Sequence, residues 1–182
     1  MTLKKALFLD RDGVINVDYG YVYNVENLKF INGIFELCRI AKQNNYLIVV
    51  VTNQAGIGRG YYSEEQFFVF MNTISTKFAM YDLKFDAVYF CPHHPVYGLG
   101  EYKKNCNCRK PKPGMFLKAK QELNLAMDQS IMVGDKVSDI IAAKISGITK
   151  TFLYKENSNQ NGKECITSLS DVHCFLKERK YP

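Results

Sequence analysis

Leu7-Phe8-Leu9-Asp10-Arg11-Asp12-Gly13-Val14-Ile15-Asn16 is the stretch on which the reading of the chain turns. An apolar run from Ala6 to Leu9 stops at two carboxylates one residue apart and then a glycine. That is the pattern of a buried strand delivering charge to its own carboxyl end, where open α/β sheets bind ligands. Side chains alternate along an extended backbone, so Asp10 and Asp12 are expected on one side, with two negative charges converging on one point. A hard divalent ion such as Mg²⁺ would neutralise that pair and hold a phosphorylated ligand against it. For an isolated D-x-D, two solvated aspartates are the plainer alternative.

Further along, Ile34, Leu37, Cys38 and Ala41 recur at helical spacing, predicting a helix over about 33–43 with Cys38 in the core. Tyr46 to Val51 is a continuous apolar run, the mark of a strand buried on both faces of a parallel sheet. It ends at Thr52-Asn53-Gln54 and a glycine-bearing loop, 55–60, that is neither a Walker loop nor a dinucleotide fingerprint. Ser63 with Gln66 predicts a capping box opening a helix whose core stripe is Phe67, Phe70, Met71, Ile74 and Phe78. A third strand is expected over 85–90 and a fourth over 130–133, the latter ending in Gly134-Asp135-Lys136-Val137-Ser138-Asp139. A helix through Ile140, Ile141, Lys144 and Ile145, a closing strand over 151–154, a polar loop over 156–163 and a tail helix from near Asp171 complete the pattern. In the tail helix Val172, Phe175 and Leu176 are expected to face inward. The long aromatic and polar loop 17–24 has no period, and long loops in small domains often carry function.

Cys91, His93, Cys106 and Cys108 form C-x-H…C-x-C within a segment, 91–112, that has no periodic structure of its own. Three thiolates and one imidazole suit tetrahedral Zn²⁺ in a closed, structural site, and the metal would order that segment. His93 is preferred to His94 because its spacing from Cys91 mirrors that of the cysteine pair. Five cations (Lys103, Lys104, Arg109, Lys110, Lys112) fall within ten residues there. The metal would aim Arg109, a bidentate phosphate reader, and Lys110, a point charge, at a common pocket. Pro113 suits the first turn of a following helix with Phe116, Ala119 and Leu123.

With 182 residues, 47% apolar and 23% charged, the chain is expected to form one domain spanning 1–182, with the zinc loop at 91–108 inserted. No apolar run reaches the roughly 20 residues that span a bilayer, and the amino end lacks a signal-peptide core, so a cytoplasmic location is expected. Six cysteines would then be thiols or metal ligands rather than disulfides.

D-x-D at one strand end, threonine at the next, lysine before a helix and G-D-x-x-x-D at a later strand together resemble the haloacid-dehalogenase-like (HAD) phosphatase superfamily. The matches are Asp10/Asp12, Thr52, Lys110 and Asp135/Asp139. Within it, D-R-D-G-V-I-N, T-N-Q-A-G-I-G-R-G, C-P-H-H-P, C-x-C-R-K-P-K-P-G-M and V-G-D-K resemble the D-glycero-D-manno-heptose 1,7-bisphosphate 7-phosphatases, with histidinol-phosphatases close by. The resemblance implies a capless Rossmann-like three-layer α/β sandwich around a mainly parallel sheet. It implies Asp10 as nucleophile, Asp12 as acid and base, and Thr52 and Lys110 as phosphoryl holders. Mg²⁺ would lie on the Asp10 carboxylate, the Asp12 backbone carbonyl and Asp135. Asp18, Tyr19, Gly20, Tyr21, Asn53, Gln54, Ala55, Arg109 and Lys136 would contact the substrate, though Tyr19 and Tyr21 also suit loop packing. Asp139 suits a helix cap nearly as well as a site role. The implied substrate is a small sugar bisphosphate of either anomer, acted on by a monomer with no nucleic-acid or membrane partner. Competing readings are a histidinol-phosphate or nucleic-acid 3′-phosphatase and a zinc-bearing nucleic-acid-binding module.

Overall fold

The computed structural model describes residues 2–156 and 164–177. Six parallel strands run in the order β3-β2-β1-β4-β5-β6: β1 (Lys5–Leu9), β2 (Tyr46–Asn53), β3 (Ala87–Cys91), β4 (Ile131–Gly134), β5 (Lys150–Tyr154) and β6 (Cys165–Ile166). The acidic strand β1 is central, with β2 on one side (Leu9 beside Val50) and β4 on the other (Leu9 beside Val133). The chain therefore builds outward from β1 in one direction and then from β4 in the other. This is the reversal of strand order where α/β sheets open a crevice at their carboxyl ends.

Alternation along the strands makes two cores. Leu7, Leu9, Ile48, Val50, Ile131 and Val133 face α1 (Ile34–Gln43) and α3 (Glu64–Ala79), while Phe8, Val49, Val51 and Met132 face α4 (Gly114–Leu123) and α5 (Val137–Ile145). Helices on both faces give the three-layer arrangement, and Cys38 lies fully buried in the first core. Phe8 is fully buried with its ring 5.1 Å from that of Phe116. Phe8→Ala is expected to cost about 3–5 kcal/mol of stability, read from urea unfolding, because the site is walled by a rigid sheet and cannot collapse.

The expected elements form, with local differences. Ser63 and Gln66 make the reciprocal capping box. Residues 55–58 form a helical turn, α2 (Ala55–Gly58), rather than a free loop, because Gly58 donates its N–H to the Pro92 carbonyl. Pro113 precedes α4 as its cap residue instead of lying in its first turn. The tail is a 3₁₀ turn, Leu169–Val172, leading into the short α6 (His173–Leu176). Val172 and Leu176 are buried there, but Phe175 is 43% exposed, leaning on Phe152 with one side open. Of the polar loop at 156–163, residues 157–163 lie outside the described residues. No helix among the described residues is long and apolar enough to cross a membrane.

Candidate active site

Asp10 is the first residue past β1, and its N–H still bonds the Val133 carbonyl of β4. Its Oδ1 accepts from the Arg11 N–H (2.8 Å) and from Lys110 Nζ (3.0 Å). Lys110 is itself buried, donates to the Val51 carbonyl (2.8 Å) and lies 2.8 Å from Asp139 Oδ1. Oxygens of Asp10, Asp135 and Asp139 all lie within 4.8 Å of one another. Two of these carboxylates, Asp10 and Asp139, share the buried Lys110 ammonium, and Asp135 crowds in beside them.

Two glycines make that crowding possible. A Cβ on Gly13, whose φ is +87°, would sit 2.5 Å from Asp135 Oδ2, and one on Gly134 would sit 2.4 Å from Asp139 Cβ. Burial, before any other cause, pushes the Asp10 carboxyl well above its ordinary value; Lys110 opposes this and the neighbouring carboxylates add to it. Burial raises Asp135 as well. Burial works against charge on Lys110, but Asp10 and Asp139 outweigh it, so the lysine stays cationic. Asp139 serves both roles weighed for it: Oδ2 accepts the Lys136 N–H at the start of α5 (3.0 Å) while Oδ1 faces Lys110.

Asp12 does not converge on the same point. The chain leaves the strand after Leu9, so alternation no longer governs where Asp12 points. Its Oδ1 accepts from Arg11 Nε (3.0 Å) and Asn16 Nδ2 (3.0 Å), its Oδ2 from Gln54 Nε2 (3.0 Å), and Arg11 Nη2 reaches both oxygens. Arg11 is fully buried, bonds the Val22 carbonyl (2.6 Å) and lies over the rings of Phe70 and Phe67. Both aspartates still line one cleft of about 500 Å³, together with Thr52, Lys110, Asp139 and Lys136.

The Gln54 amide is spent inside the wall. Its Nε2 also donates to Thr52 Oγ1 (2.7 Å) and its Oε1 accepts from buried Tyr62 (2.5 Å). Since Thr52 accepts from the amide, its own hydroxyl proton is available to a phosphoryl oxygen. Asn53 likewise accepts the Lys110 N–H and donates to the Lys110 carbonyl, both at 3.1 Å, fixing that residue to β2. Arg11, Asn16, Arg59 and Tyr62 were not singled out from sequence; three of them lie inside quoted motifs, yet neither spacing nor period shows which partner a side chain finds.

The remaining predicted contacts line the cleft, except Tyr19, which lies outside its lining. Lys136 Nζ lies 3.1 Å from Asp18 and 3.7 Å from Asp135, tying the 17–24 loop to the end of β4. Burial disfavours charge on Asp18, but the Gly20 N–H and Lys136 outweigh it and lower its pKa. Tyr21 (φ +52°) lies edge-on against Tyr61, and Tyr19 is 62% exposed. Arg109 donates to the His93 carbonyl (3.2 Å).

Cys91, His93, Cys106 and Cys108 also meet: the sulfur atoms are 3.1–3.5 Å apart and His93 Nδ1 is 3.3 Å from Cys108 Sγ. Soft thiolates with one imidazole fit Zn²⁺, whereas the three hard carboxylates, with Asp135 Oδ1 buried and unpartnered, fit Mg²⁺. His94 turns away from the sulfur cluster, its Nδ1 accepting the Val96 and Tyr97 N–H groups.

A HAD-hydrolase-like family model matches residues 107–165, from just before Cys108 through β4 and α5 to the start of β6. Along the full length, the chain is 51% identical to the D-glycero-beta-D-manno-heptose-1,7-bisphosphate 7-phosphatase of Haemophilus influenzae, over 98% of this chain and 100% of the relative. The chain belongs to the D-glycero-D-manno-heptose-1,7-bisphosphate 7-phosphatase family. Its members include enzymes of both anomeric names: the alpha-named enzyme of Burkholderia mallei is 52% identical over 82% of this chain and 79% of its own. The solved D,D-heptose 1,7-bisphosphate phosphatase of B. bronchiseptica, complexed with magnesium and phosphate, superposes with a TM-score of 0.81 at 25% identity, covering 94% of this chain and 97% of that one. This heptose bisphosphate phosphatase family member is a phosphoric monoester hydrolase with a HAD-like fold.

Proposed function

We propose that this chain, working as one capless domain and as a cytoplasmic monomer, removes the C7 phosphate of D-glycero-D-manno-heptose 1,7-bisphosphate. The observation that carries this reading is the meeting of Asp10, Asp135 and Asp139 at the carboxyl ends of adjacent strands, with Lys110 paired to Asp10 and Asp139. Asp10 attacks phosphorus, forming an aspartyl-phosphate as the bond to the C7 oxygen breaks. Asp12 gives a proton to the departing alkoxide and then takes one from the water that releases phosphate and restores Asp10. Thr52 and Lys110 hold the phosphoryl oxygens, where fixed donors stabilise the charge of a loose transition state. Asp10, Asp135 and the Asp12 carbonyl would hold Mg²⁺, which when bound offsets the crowded carboxylates and polarises the phosphoryl group. Cys91, His93, Cys106 and Cys108 would hold a structural Zn²⁺.

Asn53 and Gln54 enter this scheme as positioning residues for Lys110, Asp12 and Thr52, and Asp18, Gly20, Tyr21, Ala55, Arg109 and Lys136 as the walls that meet the sugar and its second phosphate. The test is to give the metal-loaded protein the α and β anomers of the bisphosphate and follow ³¹P resonances. Loss of the C7 signal with retention of C1 is expected. Loss of C1 first, or faster release from histidinol phosphate or a 3′-phosphorylated oligonucleotide, would overturn the assignment.

A further inference from the structure

The cleft has a rim as well as a floor. Asp10, Thr52 and Lys110 lie deep, each no more than 5% exposed, whereas Arg59, Arg109 and Tyr21 line the same cleft with more exposure, and the exposed Tyr97 packs beside Arg59. Arg59 follows α2, and the Gly58 N–H to Pro92 and Leu99 N–H to Gly58 bonds bolt that turn to the cysteine loop carrying His94 and Tyr97. Gly58 has no room for more: a Cβ there would sit 2.4 Å from the Pro92 oxygen.

His94 Nδ1 accepts two backbone N–H groups, from Val96 at 3.2 Å and Tyr97 at 3.0 Å. An imidazole that accepts through Nδ1 carries its proton on Nε2. Arg59 Nη2 lies 3.4 Å from that Nε2, and a guanidinium has no acceptor. Two donors therefore face each other, and neither can accept the other's proton. Arg59 Nε is buried and has no hydrogen-bond partner. Its guanidinium is 4.6 Å from the Tyr97 ring centre and 5.7 Å from that of Tyr21, and neither Arg59 nor Arg109 forms an ion pair with a carboxylate among the described residues. Burying a guanidinium N–H such as Arg59 Nε without an acceptor is costly. The donor chemistry of this cluster suits a compact anion with several acceptor oxygens.

We propose that Arg59 and His94 complete, with Arg109, a rim subsite that binds the phosphate group not undergoing hydrolysis. This rests on the bisphosphate reading above and extends it to two residues outside the nine predicted substrate contacts. A phosphate monoester supplies three oxygens, enough for the arginine fork, the imidazole N–H and Arg109 at once. Tyr21 and Tyr97 hold the guanidinium in place through its face, leaving its edge for the anion.

The test compares the Mg²⁺- and Zn²⁺-loaded parent with Arg59→Ala, Arg59→Lys and His94→Phe, on heptose 1,7-bisphosphate and on heptose 7-phosphate. Removing a charge-assisted donor set is expected to lower the bisphosphate-to-monophosphate ratio of kcat/KM by about 10- to 100-fold in Arg59→Ala and by about 3- to 10-fold in His94→Phe. The change should lie in KM, and Arg59→Lys should recover part of it. An unchanged ratio in Arg59→Ala would overturn the subsite. Should the parent show no preference for the bisphosphate, it is the substrate reading that fails. The subsite is then judged by heptose 1-phosphate as an inhibitor of p-nitrophenyl phosphate hydrolysis: weaker inhibition in Arg59→Ala supports it, and equal inhibition removes it.

Discussion

Asp10→Asn is expected to reduce phosphate release by roughly 10⁴-fold or more, the scale on which enzymes lose rate when a covalent nucleophile is removed. The same substitution should leave the fold intact and raise the thermal midpoint of the chelator-treated protein. Asp10 and Asp139 face Lys110 with Asp135 crowded beside them, and the other nearby ammonium, Lys136, is divided between Asp135 and Asp18, so the native arrangement carries more negative charge than its ammoniums offset. Asp10, with its carboxyl raised above the ordinary range chiefly by burial, supports the folded state fully only below the unfolded value of about 4, and that support is lost as pH rises through the folded value. An asparagine never ionises. Its advantage should therefore open above about pH 4 and grow with pH, and Mg²⁺ should narrow it by stabilising the parent more than the variant. Thermal melts between pH 4 and 8, with and without chelator, check this alongside ³¹P turnover. A variant less stable at neutral pH would mean that Lys110 needs Asp10 more than the carboxylates repel one another, and measurable turnover would remove Asp10 from the attacking role.

Much of this arrangement was legible in the sequence because it is written in strands buried on both faces. Continuous apolar runs at 6–9, 46–51 and 131–133 can satisfy themselves only inside a sheet, and the polar residues closing each run must then emerge at one edge. Paired spacing likewise announced the sulfur cluster, and the structure brings His93 rather than His94 into it. What stayed hidden depends on long-range partners. Nothing about Asp12 in isolation indicates that Arg11, the adjacent residue, folds under two phenylalanines to clamp it. Asn53 and Gln54 read equally well as ligand contacts or as braces until Lys110 and Asp12 are seen opposite them. The two-residue strand β6 has too little sequence for a period, and β5 defines it only by pairing with it.

Replacing Cys106 and Cys108 together by serine is expected to remove one zinc per chain by elemental analysis and to lower kcat/KM for the bisphosphate by about 10- to 100-fold, as when the support of a site residue is lost. The structure also states how that loss divides. Lys110 has anchors of its own, since Asn53 grips its backbone on both sides and the Val51 carbonyl receives its ammonium. Arg109 has less: among the described residues its guanidinium holds only the carbonyl of His93, a residue of the sulfur cluster. Three thiols within 3.5 Å of one another have no reason to stay together once two become hydroxyls and no metal draws the ligands in. His93 then drifts, and Arg109 with it, while Lys110 remains registered to β2. The defect should accordingly appear first as a raised KM and a weaker preference for the bisphosphate, with kcat on a monophosphate less affected. A double variant that keeps full zinc would break the ligand assignment. One that loses zinc and suffers equally on both substrates, through kcat, would mean that the metal positions Lys110 and that Asn53 and Val51 are insufficient to hold it.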